Sequence, residues 1–366
     1  MTEEDVHERL REKMNRFPVR VPRTKEIIEM LKVLYTPEEA EFLAHFSGPF
    51  QDPGTMNQIA EKIGKSLEAT QKIIDSLISR GLIYRFKSKD GTIYYTLMPL
   101  VPGLELYYFS SGGDSDEKRK AAKLFDKYYV DSLGSELGAS NYPWARLMPN
   151  EKTIAVDKEL SADLVILPFE KMSEFINTSR KIAVINCSCR IIKQCDHPIE
   201  TCLIFDSVAE YMVERGFGRY LNVEEALELV EKTEKAGLVH NTTNTQIKPT
   251  FVCSCCTCAC IFLRGLAELH NPRAFAKSNF LPVRDNETCT QCKTCVDICP
   301  MGANMYHAPH DKEPEKILFL EERCIGCGLC AYHCQNEAIR LVKVRDQIPE
   351  KTFPEALARF EAERIH

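Results

Sequence analysis

The chain has 366 residues, a formal net charge of −6 and an apolar fraction of 44%, a globular composition in a length that exceeds the roughly 250 residues of one core and implies two or three domains. No basic domain or stripe marks the whole molecule as a nucleic-acid binder, and no run nears the roughly 18 continuous apolar residues of a membrane span. An odd total of 17 cysteines excludes a secreted disulfide framework, and the acidic start Met1-Thr-Glu-Glu-Asp5 is unlike a signal peptide, so the expectation is a soluble cytoplasmic protein with reduced thiols.

Residues 24–100 read as helices followed by a hairpin. Thr36-Pro37-Glu38-Glu39 is a helix start, with Pro at the first helical position and Glu placed for a capping box. Thr55-Met56-Asn57-Gln58 starts a second helix that Gly64 closes. Leu67, Ile74, Leu77 and Ile78 give Ser66 to Arg80 the spacing of a longer amphipathic helix. Two β-rich runs then flank Lys89-Asp90-Gly91, a hairpin signal. Short helix, turn, longer helix and hairpin resemble the winged helix-turn-helix family. The resemblance implies contact with DNA, but the presumed recognition helix sets Glu68 and Asp75 against Lys72 and Arg80. Phosphate contact dominates nucleic-acid affinity, so a docking or structural module is favoured, and Arg85, Lys87 and Lys89 of the wing keep DNA as the lesser alternative.

Beyond a Ser/Gly/Asp loop at 110–116, Glu117 to Leu133 reads as a charged amphipathic helix, and the lone Trp144 as a core anchor. The middle region holds nine cysteines. An apolar strand, Ile182 to Asn186, delivers Cys187-Ser-Cys189-Arg190, with Cys195 and Cys202 close behind; Thr201 to Glu214 has helical spacing, and a further helix runs from Val223 to Ala236. Then come Cys253, Cys255, Cys256, Cys258 and Cys260, five thiols in eight residues. Free cysteines usually fill cores as small apolar residues, which suits Cys202 and then Cys195 taken singly and fails for so dense a run. Soft thiolates select iron–sulfur clusters, zinc or copper(I). An additional iron–sulfur centre is expected, with Cys187, Cys189, Cys195 and Cys202 as first choice and sharing between the two groups open; zinc and a dithiol redox pair are the alternatives. Arg190 reads first as a surface ion pair, with a hydrogen bond to a cluster sulfur as the alternative, and His197, His240 and His333 read first as structural histidines, with a ligand or proton-donor role as the alternative.

Near the C-terminus stand Cys289-Thr-Gln-Cys292-Lys-Thr-Cys295-Val-Asp-Ile-Cys299-Pro300 and Cys324-Ile-Gly-Cys327-Gly-Leu-Cys330-Ala-Tyr-His-Cys334. Three cysteines at three-residue steps and a fourth four residues on are the intervals that wrap a 4Fe-4S cube, and in two-cluster folds the fourth ligand crosses over. Cys289, Cys292, Cys295 and Cys334 are therefore assigned to one cluster, and Cys324, Cys327, Cys330 and Cys299 to the other. Paired zinc ribbons need only four ligands each at plain Cys-x-x-Cys spacing and fit less well. Gly326 and Gly328 bring backbone amides toward cluster sulfurs. This third of the chain is similar to bacterial-type 2[4Fe-4S] ferredoxins, with two departures: Gln335 replaces the proline that often follows the second run, and 24 residues separate Cys299 from Cys324, an insert including Met305-Tyr-His-Ala-Pro-His310.

From Pro168-Phe-Glu through Cys187-Ser-Cys-Arg, Gly216-Phe-Gly-Arg, Ala236-Gly-Leu-Val-His240 and the Cys253 run, the chain also resembles a group of 4Fe-4S binding proteins of anaerobic bacteria and archaea. That resemblance implies a redox role without a substrate. The expected organisation is α+β and multi-domain: a winged-helix-like domain at 1–105, an α/β cysteine-rich middle at 106–285, a 2[4Fe-4S] ferredoxin domain at 286–345 and a helical tail to 366. The expected function is single-electron relay through two 4Fe-4S clusters to a redox partner protein or to the middle region, without membrane contact. A cluster-based regulator of transcription and a reductase acting at the middle cysteines are the rivals.

Overall fold

The computed structural model describes residues 5–154, 166–247, 249–308 and 315–365. The acidic start at 1–4 and residues 309–310 of the insert lie outside them.

Five helices, α1 (Val6–Met14), α2 (Lys25–Leu34), α3 (Pro37–Ala44), α4 (Met56–Ile63) and α5 (Leu67–Ser79), precede the hairpin β1 (Tyr84–Lys87) and β2 (Ile93–Thr96). Local chemistry sets the starts. Glu39 N donates to Thr36 Oγ1 at 3.2 Å while Thr36 N donates to Glu39 Oε2 at 2.9 Å, and Thr55 and Gln58 repeat the reciprocal pair at α4. The hairpin packs inward. Tyr84 stacks on Tyr211 with ring centroids 5.3 Å apart, and the Tyr211 hydroxyl donates to Ile83 O at 2.7 Å.

After α6 (Glu105–Ser110), α7 (Asp116–Tyr128) and the single turn α8 (Gly134–Glu136) comes β3 (Ala145–Met148). The middle region contributes α9 (Met172–Thr178), β4 (Ile182–Asn186), α10 (Ser188–Lys193), β5 (Glu200–Phe205), α11 (Asp206–Val213), β6 (Gly218–Leu221), α12 (Val223–Lys235), β7 (Val239–Thr243), β8 (Phe251–Cys255) and α13 (Ile261–Ala267). Its six strands form one antiparallel sheet in the order β3-β7-β8-β5-β4-β6. The helix expected from Thr201 to Glu214 is instead a strand and then a helix. Leu203 and Ile204 pair with β4 on one side and β8 on the other, so their backbone joins the ladder, and the chain turns into α11 only at Asp206, whose φ is 50°.

Both faces of this sheet are covered. Val184, Leu203 and Val252 point toward Phe175, Ile176 and Ala226 of α9 and α12, while the alternate residues Ala183, Ile185, Ile204 and Phe251 join an apolar cluster that reaches Leu10, Leu31, Leu77, Phe125 and Phe360. Trp144, 2% exposed, lies in that cluster with its ring 5.1 Å from Phe262, a core anchor.

The last segment holds β9 (Phe280–Arg284), α14 (Thr294–Asp297), β10 (Asn304–His307), β11 (Lys316–Phe319), α15 (Leu329–Tyr332), β12 (Ile339–Lys343) and the tail helix α16 (Phe353–Ala362). β9 pairs antiparallel with β12 and β10 with β11. Each cysteine run thus lies in a strand, loop, short helix and strand, and the two halves interlock because the first strand of one pairs with the last strand of the other.

Candidate metal centres

The crossing of β9 and β12 carries the end of each run to the other. Cys289, Cys292, Cys295 and Cys334 line one cavity, with an empty volume of about 300 Å³; Cys299, Cys324, Cys327 and Cys330 line a second, of about 330 Å³. Cys295 and Cys330 share a small apolar cluster with Ala331 and Ile339, so the cavities are neighbours. Four soft thiols around a small void are a donor set suited to a four-iron cube. Backbone amides already face the sulfurs: Ala303 N donates to Cys299 Sγ at 3.2 Å and Gly326 N to Cys324 Sγ at 3.4 Å. Arg284 Nη2 lies 3.9 Å from Cys295 Sγ and is held by Asn304 Oδ1 at 2.9 Å, a contact that no spacing rule indicated. Burial pushes the Cys330 thiol up to about 12 and Cys324 and Cys327 upward as well. These groups stay protonated until a metal displaces the proton.

The loops that wrap the cavities need two left-handed residues each. In the second run these are Gly326 and Gly328, with φ of 73° and 84°; in the first they are Gln291 and Lys293, at 56° and 67°. A Cβ on Gly326 would stand 2.2 Å from Phe280 O, and one on Gly328 would stand 2.8 Å from Thr153 Oγ1. The second run therefore presses directly on its surroundings, which only glycine permits.

The nine middle cysteines divide into two sets. Cys187 follows β4, Cys189 lies in α10, Cys202 in β5, Cys253 and Cys255 in β8, and Cys260 caps α13. Pairing of β5 with β8 sets Cys202 Sγ 3.6 Å from Cys253 Sγ. The Cys189 thiol and Arg190 together draw Cys187 down to about 6, and Cys189 is driven up in turn. Neighbouring thiols and burial raise Cys253, and burial foremost raises Cys260. Asn241, fully buried in β7, donates Nδ2 to Cys255 Sγ at 2.9 Å, another contact hidden in a polar strand.

Cys195, Cys256 and Cys258 form the second set, joined by His197. Of the quartet Cys187, Cys189, Cys195 and Cys202, Cys195 stands with the β8–α13 turn and Cys202 against Cys253, while Cys189 packs on the same small cluster as Cys195. His197, expected to be structural, faces thiols with Nδ1 3.0 Å from Cys195 Sγ. Arg190 departs from its expected surface ion pair. It is 1% exposed, donates to Thr201 Oγ1 at 2.6 Å and to the carbonyls of Pro198 and Ser254, and has thiols around its guanidinium. Burial works against its charge, and Cys187, Cys255 and Cys256 outweigh burial to hold its pKa above the ordinary value. His240 and His333 keep structural partners, Ser254 Oγ at 3.2 Å and Glu234 O at 3.0 Å.

The second cavity adjoins the middle thiols. Gly237, which ends α12, would place a Cβ 2.8 Å from Ile298 Cδ1, beside Cys299. The next residue, Leu238, is fully buried with Cys256 and Ala259, and Cys189 and Cys195 pack on that cluster.

Residues 281–335 match the 4Fe-4S dicluster domain family. Through this segment the chain belongs to the dicluster ferredoxin family. Pyruvate synthase subunit PorD of Methanocaldococcus jannaschii is 34% identical over 68 residues, 19% of this chain and 71% of that protein. A ferredoxin of the same organism is 35% identical over 60 residues, 16% of this chain and 74% of its own length. The archaeal-type glutamate synthase of Thermotoga maritima is 34% identical over 64 residues, 18% of this chain and 12% of that enzyme. The chain therefore spans about an eighth of the glutamate synthases it matches and most of the small ferredoxins. No solved structure matches it. Among the described residues no helix is long and apolar enough to cross a membrane.

Proposed function

We propose that this chain is an iron–sulfur electron-transfer protein, with one 4Fe-4S cluster held by Cys289, Cys292, Cys295 and Cys334 and a second by Cys299, Cys324, Cys327 and Cys330. The observation that carries this reading is the division of the eight thiols between two adjoining cavities, each drawing one cysteine from the opposite run. Clusters of this class exchange single electrons when bound. The protein supplies the rest: thiolates that fix position, amides of Ala303 and Gly326 aimed at sulfur, and the Arg284 cation near Cys295, which favours the reduced, more negative state.

The buried thiols Cys187, Cys189, Cys202, Cys253, Cys255 and Cys260 are the proposed home of an additional iron–sulfur centre, with the Asn241 amide as a hydrogen-bond donor to sulfur and Arg190 as a positive charge beside it. Close packing from Cys299 through Ile298, Gly237 and Leu238 toward Cys189 supports a relay that runs from the ferredoxin segment into the middle region. The relatives are named as subunits or as parts of larger enzymes, which supports a redox partner protein as the external party.

For the N-terminal helices and hairpin we propose a docking and structural role. Two of the basic groups a DNA reader would need are occupied: Arg80 bonds Leu34 O at 2.7 Å and the Glu39 carboxylate, and Arg85 bonds Glu214 at 2.6 Å. The hairpin is turned onto Tyr211.

Anaerobic purification with iron and acid-labile sulfide analysis tests the reading. About eight irons per chain are expected from the C-terminal pair and about twelve with the middle centre, by the four-iron stoichiometry. Dithionite should give the electron paramagnetic resonance signals of reduced, interacting 4Fe-4S clusters. A colourless air-free protein without iron would overturn it.

A further inference from the structure

The second set of middle thiols has a geometry of its own. Cys258 Sγ lies 3.0 Å from Cys195 Sγ and 3.1 Å from Cys256 Sγ, and the latter two are 3.7 Å apart. His197 Nδ1 lies 3.0 Å from Cys195 Sγ and 3.6 Å from Cys258 Sγ, and all four donor atoms fall within 4.8 Å of one another. One tetrahedral ion with Zn–S bonds of about 2.3 Å and a Zn–N bond of about 2.0 Å sets its ligand atoms roughly 3.5–3.8 Å apart. Thiolates on four different irons of a cube must stand farther apart. The donors come from two turns: Cys195 and His197 follow α10, whereas Cys256 and Cys258 lie between β8 and α13. Cys256 is buried, and Cys258 and His197 face solvent.

We propose that Cys195, His197, Cys256 and Cys258 form a mononuclear Cys3His site for zinc, distinct from every iron–sulfur centre of the chain and independent of the electron-transfer reading. Three thiolates, a neutral imidazole and a divalent ion sum to one negative charge, and the buried guanidinium of Arg190, which donates to Ser254 O two residues before Cys256, offsets it. Binding forms three Zn–S bonds and one Zn–N bond, releases up to three thiol protons to solvent and changes no oxidation state. The ion ties the turn after α10 to the turn after β8, and so closes the surface side of the buried six-thiol set.

The test is metal analysis of the full chain purified without oxygen or added metal, and of the variants Cys258→Ser, His197→Cys and Cys253→Ser. One zinc per chain is expected in the wild type. Cys258→Ser should fall below one fifth of that with its iron unchanged, whereas His197→Cys, which restores four soft ligands, and Cys253→Ser should both keep zinc. Cobalt(II) exchanged into the wild type should give the intense visible bands of a tetrahedral thiolate site. Absence of zinc from the wild type, zinc retained in Cys258→Ser, or a loss of about four irons in that variant, which would make the quartet cluster ligands by the four-iron stoichiometry, would each overturn the proposal. If Cys258→Ser does not fold, the wild-type zinc content and the cobalt spectrum decide.

Discussion

At the scale of single residues, the end of α12 and the start of β7 bring together two titratable side chains that burial drives toward neutrality. Glu234 and His240 are 2% and 3% exposed, with Glu234 Oε1 3.8 Å from His240 Nε2. Burial lifts the carboxyl to about 7 and lowers the imidazole to about 4. Between the ordinary carboxyl value of 4.5 and about 7 the folded chain keeps a proton that the unfolded chain gives up. Stability from Glu234 is therefore complete below that window, is lost as pH rises through it, and stays lost above. His240 works in the opposite direction, since the fold refuses a proton that the unfolded chain accepts, and its contribution is lost as pH falls from 6.5 toward 4. Glu234→Gln should thus stabilise the protein by on the order of 3 kcal/mol at pH 8 and by little at pH 4.5, from about 1.4 kcal/mol per pKa unit. Denaturant unfolding at both pH values checks this, and an equal shift at the two would refute it.

The left-handed residues of the two cysteine runs give a second comparison at this scale. Gln291 at φ 56° adopts a conformation that costs a non-glycine residue about 1–2 kcal/mol, so Gln291→Gly should raise stability modestly. Gly326→Ala adds a methyl 2.2 Å from a carbonyl oxygen and should abolish loading of the second cavity while the first still fills. Equal iron loss from both cavities in Gly326→Ala would argue against separate sites.

Among elements, the pairing of β9 with β12 makes each cavity depend on both runs. Cys334→Ser should perturb the cluster held by Cys289, Cys292 and Cys295, although Cys334 belongs to the second run. Cys299→Ser should perturb the other. Spectra of the two variants will differ in which cluster survives, and a variant that loses only the cluster of its own run would disprove the crossing. The cysteine runs were readable in sequence because a cube's ligands are mostly local and their intervals are fixed by the loop that wraps it. Capped helices such as α3 and α4 were readable for the same reason, since Thr36 and Glu39 sit one turn apart. The middle thiols were not. Which of them meet is decided by β5 lying beside β8, a pairing across some fifty residues, and β5 itself was masked by apolar residues whose spacing also suits a helix. His197 and Arg190 show the same limit, since nothing in Cys195-Asp-His197 says that the turn after β8 will face it.

For the whole molecule, the apolar cluster from Leu10 to Phe360 binds together segments that motif reading separates. Tyr84 of the hairpin, Tyr107 of α6 and Tyr211 of α11 pack ring against ring, with Tyr107 and Tyr211 centroids 5.0 Å apart. The tail closes the same body from the other end: Arg364 Nη2 donates to Pro18 O at 2.6 Å and pairs with Glu136, and Arg20 bonds Glu361 at 2.8 Å. Surfaces buried this way are apolar and extensive on both partners, unlike the modest polar contacts of domains that move independently. The N-terminal helices, the middle sheet and α16 should therefore unfold as one cooperative unit, apart from the metal-dependent C-terminal segment. Scanning calorimetry of the loaded chain should show a single transition for this body, its calorimetric and van't Hoff enthalpies agreeing. Deletion of residues 1–104 should strip cover from Tyr211 and Val208 and leave a remainder that binds hydrophobic dyes and lacks a sharp transition. A truncated chain that melts at the temperature of the parent, with its middle sheet intact, would show that the N-terminal helices are a separate domain resting on an already complete core.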